Sequence, residues 1–167
     1  DDFWSAINTN AIIALTREPE RSAEEILDTF LLKQGFEDDA SRHSFASLIQ
    51  MSSDLILHLR YLPTFQNLAN QLWMPSHNWV RDDTFVPGAC AHIANLVAKE
   101  DKTELFRYER SFASIVARTQ LARAEALFDD GPFAEHKKAG FILDSYKWAK
   151  KFAELSEEIW KKLLSST

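Results

Sequence analysis

Leu105-Phe-Arg-Tyr108-Glu-Arg-Ser-Phe112-Ala-Ser-Ile115-Val-Ala-Arg-Thr119 is the stretch whose periodicity decides the fold. Leu105, Tyr108, Phe112, Ile115, Thr119, Ala122 and Ala126 recur every three or four residues, which is the spacing of one face of an α-helix. Phe106, Ala113, Val116, Ala117, Leu121 and Phe128 make a second row. Two apolar rows on one segment predict a helix from Lys102 to Phe128 sandwiched between neighbours.

Downstream, Asp129-Asp-Gly131-Pro132 joins a C-terminal glycine stop to a proline suited to the first turn of the next helix. Phe141, Trp148, Phe152, Leu155, Ile159, Trp160 and Leu163 then follow at helical intervals. So short a connection makes this last helix the antiparallel neighbour of the one before it. Trp148 and Trp160 both fall on its apolar side, where core packing is expected. Lys147, Lys150, Lys151, Lys161 and Lys162, interleaved with Glu154, Glu157 and Glu158, read as its solvated face.

Upstream, Phe3, Ile7, Ala11, Ala14 and Leu15 share a helical face that ends before Pro19, whose ring cannot continue a helix. Ser22-Ala-Glu-Glu25 has the form of a capping box and predicts a second helix, with Ile26, Leu27, Phe30 and Leu31 as its stripe and Gly35 as its stop. Asp39 or Ser41 can cap a third helix carrying Phe45, Leu48, Ile49, Leu55, Ile56, Leu59 and Leu62, closed by Pro63. A short helical turn through Phe65, Leu68, Ala69 and Leu72 leads into a non-helical run, Trp73 to Gly88, and Ala89 to Lys99 returns to helix. No segment alternates with period two. The fold class is all-α: an antiparallel helical bundle with a long aromatic loop and a C-terminal helical hairpin. Residues 1–167 form a single helical domain, a fragment or module of a larger protein.

At 46% hydrophobic content, the 167 residues can bury roughly two thirds of their unfolded surface, so no covalent or metal staple is required. Cys90 is alone and reads as a small buried apolar residue. A net charge of −6 with scattered basic residues argues against a nucleic-acid partner, because phosphate binding needs clustered lysine and arginine. The longest apolar run, Ala11 to Leu15, is far too short to span a bilayer, so no membrane partner is expected. No phosphate loop, serine elbow or His-Glu-x-x-His signature occurs, and no cofactor, metal or catalytic residue is assigned. His58, on the third helix, is an ordinary packed or surface histidine.

The run between the helical blocks is too long and too aromatic for a plain connection. Trp73, Trp79 and Phe85 offer flat faces for sugar rings, with His77, Asn78, Arg81 and Asp82 to bond the hydroxyls. The alternative is a loop that folds over the helices and buries its own aromatics. Asp82 and Asp83, side by side, point apart, so a glycosidase carboxylate pair is disfavoured against solvated turn residues.

Asn8-Thr-Asn10-Ala11, Leu15, Pro19-Glu-Arg-Ser22-Ala-Glu-Glu25-Ile26 and Phe30 resemble a stretch of alpha-glucuronidases and related glycoside hydrolases just after their barrel. The resemblance covers about the first thirty residues; Ile12 to Glu18 departs from the family's pattern, and the rest is similar in layout. It implies helices that pack beside an eight-stranded β/α barrel and finish in a long antiparallel pair. That family's catalytic carboxylates lie in the barrel, so the resemblance carries no catalytic residue onto this chain. Trp4 would then pack against a segment preceding Asp1. The expectation is a non-catalytic helical module supporting or rimming a glycan site, with an adjoining catalytic barrel as its neighbour. A free-standing domain that holds a partner protein is the other reading.

Overall fold

The computed structural model describes residues 3–64, 87–129 and 137–166. Its helices are α1 (Phe3–Arg17), α2 (Ala23–Lys33), α3 (Asp39–Arg60), α4 (Pro87–Lys99), α5 (Thr103–Asp129) and α6 (Lys137–Ser165). A further helical turn begins at Pro63-Thr64. Strands are absent among the described residues, as the all-α reading requires. No helix among them is long and apolar enough to cross a membrane. The expected turn through Phe65 to Leu72 and the expected loop from Trp73 to Val86 lie outside the described residues. Pro87 and Gly88, expected as loop, instead open α4. Proline suits a first turn because the N–H it lacks has no partner inside the helix there.

Local chemistry fixes the other ends. Ser22 Oγ accepts the Glu25 N–H at 3.2 Å while Glu25 Oε2 accepts the Ser22 N–H at 3.2 Å, so the capping box starts α2 as expected. Ser22→Ala is expected to lower the stability by about 1 kcal/mol, read as a shifted midpoint in urea unfolding followed by circular dichroism. Past α2, Gly35 takes φ 95°, the left-handed turn that favours glycine. The cap of α3 is Asp38, one residue before the expected Asp39. Its carboxylate accepts the Ser41 hydroxyl and, at 2.7 Å, the Ser41 N–H. These bonds, the hydroxyl first, hold the Asp38 carboxyl below its usual value. Ser41 cannot be the cap itself, since its own N–H is one of the donors the cap must satisfy.

The described helices gather into two compact units. The first unit takes residues 1–52 and 122–145. Its core joins Phe3 and Ile7 of α1, Ile26, Phe30 and Leu31 of α2, Phe36, and Phe45 and Leu48 of α3. Phe3 lies 5.7 Å from Phe30 and edge-on to Phe45 at 5.6 Å, and Phe36 lies 4.8 Å from Phe45. Arg42 closes the α2–α3 connection: it pairs with Asp28 at 2.6 Å and with Asp39, and donates to the carbonyls of Phe36 and Glu37. Trp4 turns its indole N–H to Ser145 Oγ at 3.1 Å, so it has a partner within this unit.

The second unit takes residues 53–121 and 146–167. Phe106 meets Trp160 edge-on at 5.0 Å, and Ser111 Oγ donates to Glu157 at 2.7 Å. Rising numbers on α5 meet falling numbers on α6, which is the expected antiparallel hairpin. The same register sets Ala113 against Ala153 and Ala117 against Ala149, all four buried. Side chains this small let two helix axes approach closely. Cys90, Ile93, Ala94 and Val97 of α4 complete a cluster with Phe106, Trp160 and Leu164. Cys90 is thus a buried apolar residue as expected, and burial pushes its thiol pKa up.

That seam corrects two expectations. The second apolar row of α5, from Phe106 through Ala113 and Ala117 to Leu121, is buried, but the first is not. Leu105, Tyr108, Phe112 and Ile115 remain 37% to 65% exposed, so α5 is not sandwiched along this row. On α6 the buried residues are Ile142, Tyr146, Ala149, Ala153, Ser156, Trp160 and Leu164. Trp160 is in the core at 4% exposure, whereas Trp148 is 43% exposed. The guanidinium of Arg60 lies 5.7 Å from the Trp148 ring and 5.4 Å from that of Phe152.

Candidate functional site

Every residue assigned to glycan contact from the sequence, Trp73, His77, Asn78, Trp79, Arg81, Asp82 and Phe85, lies outside the described residues, and so does Asp83. Among the described residues no three His, Cys, Asp or Glu side chains gather as metal ligands. Two surface features of the second unit remain.

The first is the open row on α5. Its four side chains follow at intervals of three, four and three residues, so they form a straight ridge along one side of the helix. Tyr108 and Phe112 stack with ring centres 6.0 Å apart, and His58 of α3 packs edge-on against Phe112 at 5.0 Å. His58 is therefore a packed histidine, as expected. Its contact helps hold the Phe112 ring in place.

The second is a polar cleft of about 260 Å³ where α5 passes the end of α6. Arg107, Arg110 and Ser111 line it from α5, and Glu157, Trp160, Lys161 and Ser165 line it from α6. Arg110 occupies the core-facing side of α5 and is only 3% exposed. It reaches the end of α3, donating from Nη2 to the Tyr61 carbonyl at 2.8 Å and from Nη1 to the Leu59 carbonyl at 3.5 Å. A cation there suits the negative end of the helix dipole. Its Nε has no hydrogen-bond partner, and among the described residues no carboxylate forms an ion pair with it. Desolvation pushes its pKa down to about 10, so it stays charged at neutral pH. The carboxylate next to it in sequence, Glu109, is engaged elsewhere, accepting the N–H and hydroxyl of Thr64.

Glu157 accepts the Ser111 hydroxyl, and its pKa is lowered by the neighbouring hydroxyls of Ser114 and Ser111, with weaker help from Arg118 and Lys161. Buried Ser114 Oγ lies close enough to favour that charge without completing a hydrogen bond. Arg107 bonds Glu104 through Nη1 at 2.7 Å and reaches the Leu164 carbonyl through Nη2 at 3.4 Å, yet its buried Nε is unpaired.

Sequence reasoning left these residues out. In the sequence Glu157 and Lys161 read as part of a solvated face, and Arg110 carries no assigned role. The available signal was Arg110 itself, one turn past Phe106 and one turn before Ala113 and Ser114 in the buried row. A cation in such a row is rare unless something pairs with it. No protein-family model, curated protein or solved structure matches the chain.

Proposed function

We propose that the chain is a helical binding module that seats an apolar helix of a partner protein on the open row of α5. The observation that carries this reading is the exposure of Leu105, Tyr108, Phe112 and Ile115 at three-and-four spacing. Single exposed apolar residues are ordinary, but a contiguous aromatic and aliphatic ridge is a feature of docking surfaces. The ridge runs about 15 Å at 1.5 Å per residue, and its spacing is the one that knobs-into-holes packing of a second helix uses. Aromatic side chains with restricted rotamers, here Tyr108 and Phe112, are favoured interface anchors because little entropy is lost when they bind. The resemblance to helices that flank a glycoside-hydrolase barrel supplies one such partner, an adjoining domain. The glycan-rimming reading rests on that resemblance and on Trp73 to Phe85.

A photo-crosslinking residue at Ile115 of the chain, expressed in its source cells, is expected to join one protein through a helical segment of that protein. Phe112→Glu should abolish the adduct while leaving the helix content unchanged, whereas Ile12→Glu on exposed α1 should leave both unchanged. No discrete adduct, or one that survives Phe112→Glu, would sink the reading.

A further inference from the structure

We propose that the cleft between α5 and α6 is a binding site for a small oxyanion, a carboxylate or phosphate group on a molecule that also carries a hydrogen-bond donor. This inference is independent of the partner helix on the α5 row. Its basis is a charge imbalance in a confined space. Three cations, Arg107, Arg110 and Lys161, line the cleft with the single carboxylate of Glu157; Arg107 is already paired with Glu104 at 2.7 Å, which leaves Arg110 and Lys161 against Glu157.

Arg110 is the buried cation of the cleft. Burying a guanidinium costs several kcal/mol unless an opposite charge is close, and carbonyl oxygens supply only partial charge. The Leu59 and Tyr61 carbonyls take one N–H from each Nη and hold the group in one place without neutralising it, and Glu109, whose charge favours the cation without forming an ion pair with it, is bound to Thr64. The Phe106 ring, its centre 5.9 Å from the guanidinium carbon that lies over it, adds a weak cation–π contact and no charge either. An oxyanion in the cleft would supply a counter-charge in direct contact. Lys161, exposed at the rim, adds an ammonium, and guanidinium groups fixed by their own hydrogen bonds are well suited to oxyanion recognition.

Glu157 then selects among oxyanions. Its depressed pKa keeps it ionised at neutral pH, so a bare multivalent anion would be repelled from that side of the cleft. A hydroxyl or ammonium group on the ligand would instead donate to it. Ser165, whose hydroxyl donates to the Lys161 carbonyl at 2.7 Å and accepts from Arg107 Nη2 at 3.5 Å, has one oxygen lone pair left for such a donor. Trp160, buried against Phe106, closes one wall with an apolar surface. The volume admits a molecule of a few carbons.

The test titrates the full chain with glycerol phosphate, with glycolate and, as controls at matched ionic strength, with potassium chloride and with glycerol. Backbone amide and arginine Nε signals are followed by nuclear magnetic resonance. Saturable shifts confined to residues around Arg107, Arg110 and Glu157 are expected with at least one of the two oxyanions, and which one answers names the source of the anion. Lys161→Met, at an exposed position that the fold does not need, should weaken that binding about tenfold. Ser165→Ala serves as a second variant with a smaller loss. Shifts that potassium chloride reproduces, no saturation with either oxyanion, or undiminished binding in Lys161→Met would overturn the proposal.

Discussion

Trp160→Ala is expected to destabilise the protein by about 3–5 kcal/mol, the usual cost of deleting a large aromatic side chain from a packed core. Trp148→Ala, twelve residues earlier on the same helix, is expected to cost under about 1 kcal/mol, in the range of surface substitutions. The contrast follows from exposure, 4% against 43%. Trp160 stands edge-on to Phe106 and belongs to the cluster with Cys90, Ile93 and Val97, so its removal leaves a cavity that three helices line. Removing the Trp148 side chain loses its stacking with Phe152 and its contact with Arg60. Urea unfolding followed by far-ultraviolet circular dichroism measures both without relying on tryptophan fluorescence. Equal losses for the two would mean that α6 is rotated about its axis relative to the arrangement described.

Phe45→Ala is expected to have an effect of the same size, about 3–5 kcal/mol, in the first unit. Phe45 is fully buried, with Phe3 edge-on to it and Phe36 tilted across it. Aromatic pairs of this geometry contribute about 0.5–1.5 kcal/mol beyond the area they bury. Deleting the central ring therefore removes the contacts of two others as well. Ile13→Ala, nearly half exposed on α1, is the matched control and is expected to shift the urea midpoint little. A Phe45→Ala protein as stable as Ile13→Ala would contradict the phenylalanine cluster as the core of that unit.

The sequence was legible where a local rule decides the structure. Ser22 and Glu25 form a capping box whatever surrounds them, Gly35 supplies the positive φ that ends α2, and the three-and-four periodicity of α5 and α6 holds throughout. What it could not decide was which of two apolar faces turns inward. Periodicity locates a face but does not rank Leu105-Tyr108-Phe112-Ile115 against Phe106-Ala113-Ala117-Leu121. Ranking by side-chain size favours the wrong row here. The small residues Ala113, Ala117, Ala149 and Ala153 are the buried ones, while several bulky ones stay outside.

The cleft was hidden for a related reason. Lys161 and Glu157 sit in a mixed-charge pattern that any solvated helix shows, and only the antiparallel register brings them beside Arg107 and Ser111. The expected glycan contacts, Trp73 to Phe85, lie outside the described residues, so the structure bears on the α5 row and the cleft instead.

Thiol labelling of single cysteines placed along α5 in a Cys90→Ala background tests the central claim, that the Leu105-to-Ile115 row faces outward, most directly. Phe112→Cys and Ile115→Cys are expected to react nearly as fast as a free thiol, and Ala113→Cys and Ala117→Cys to react only as fast as the protein opens. Protection at 112 and 115 equal to that at 113 and 117 would contradict the claim and remove the docking surface with it.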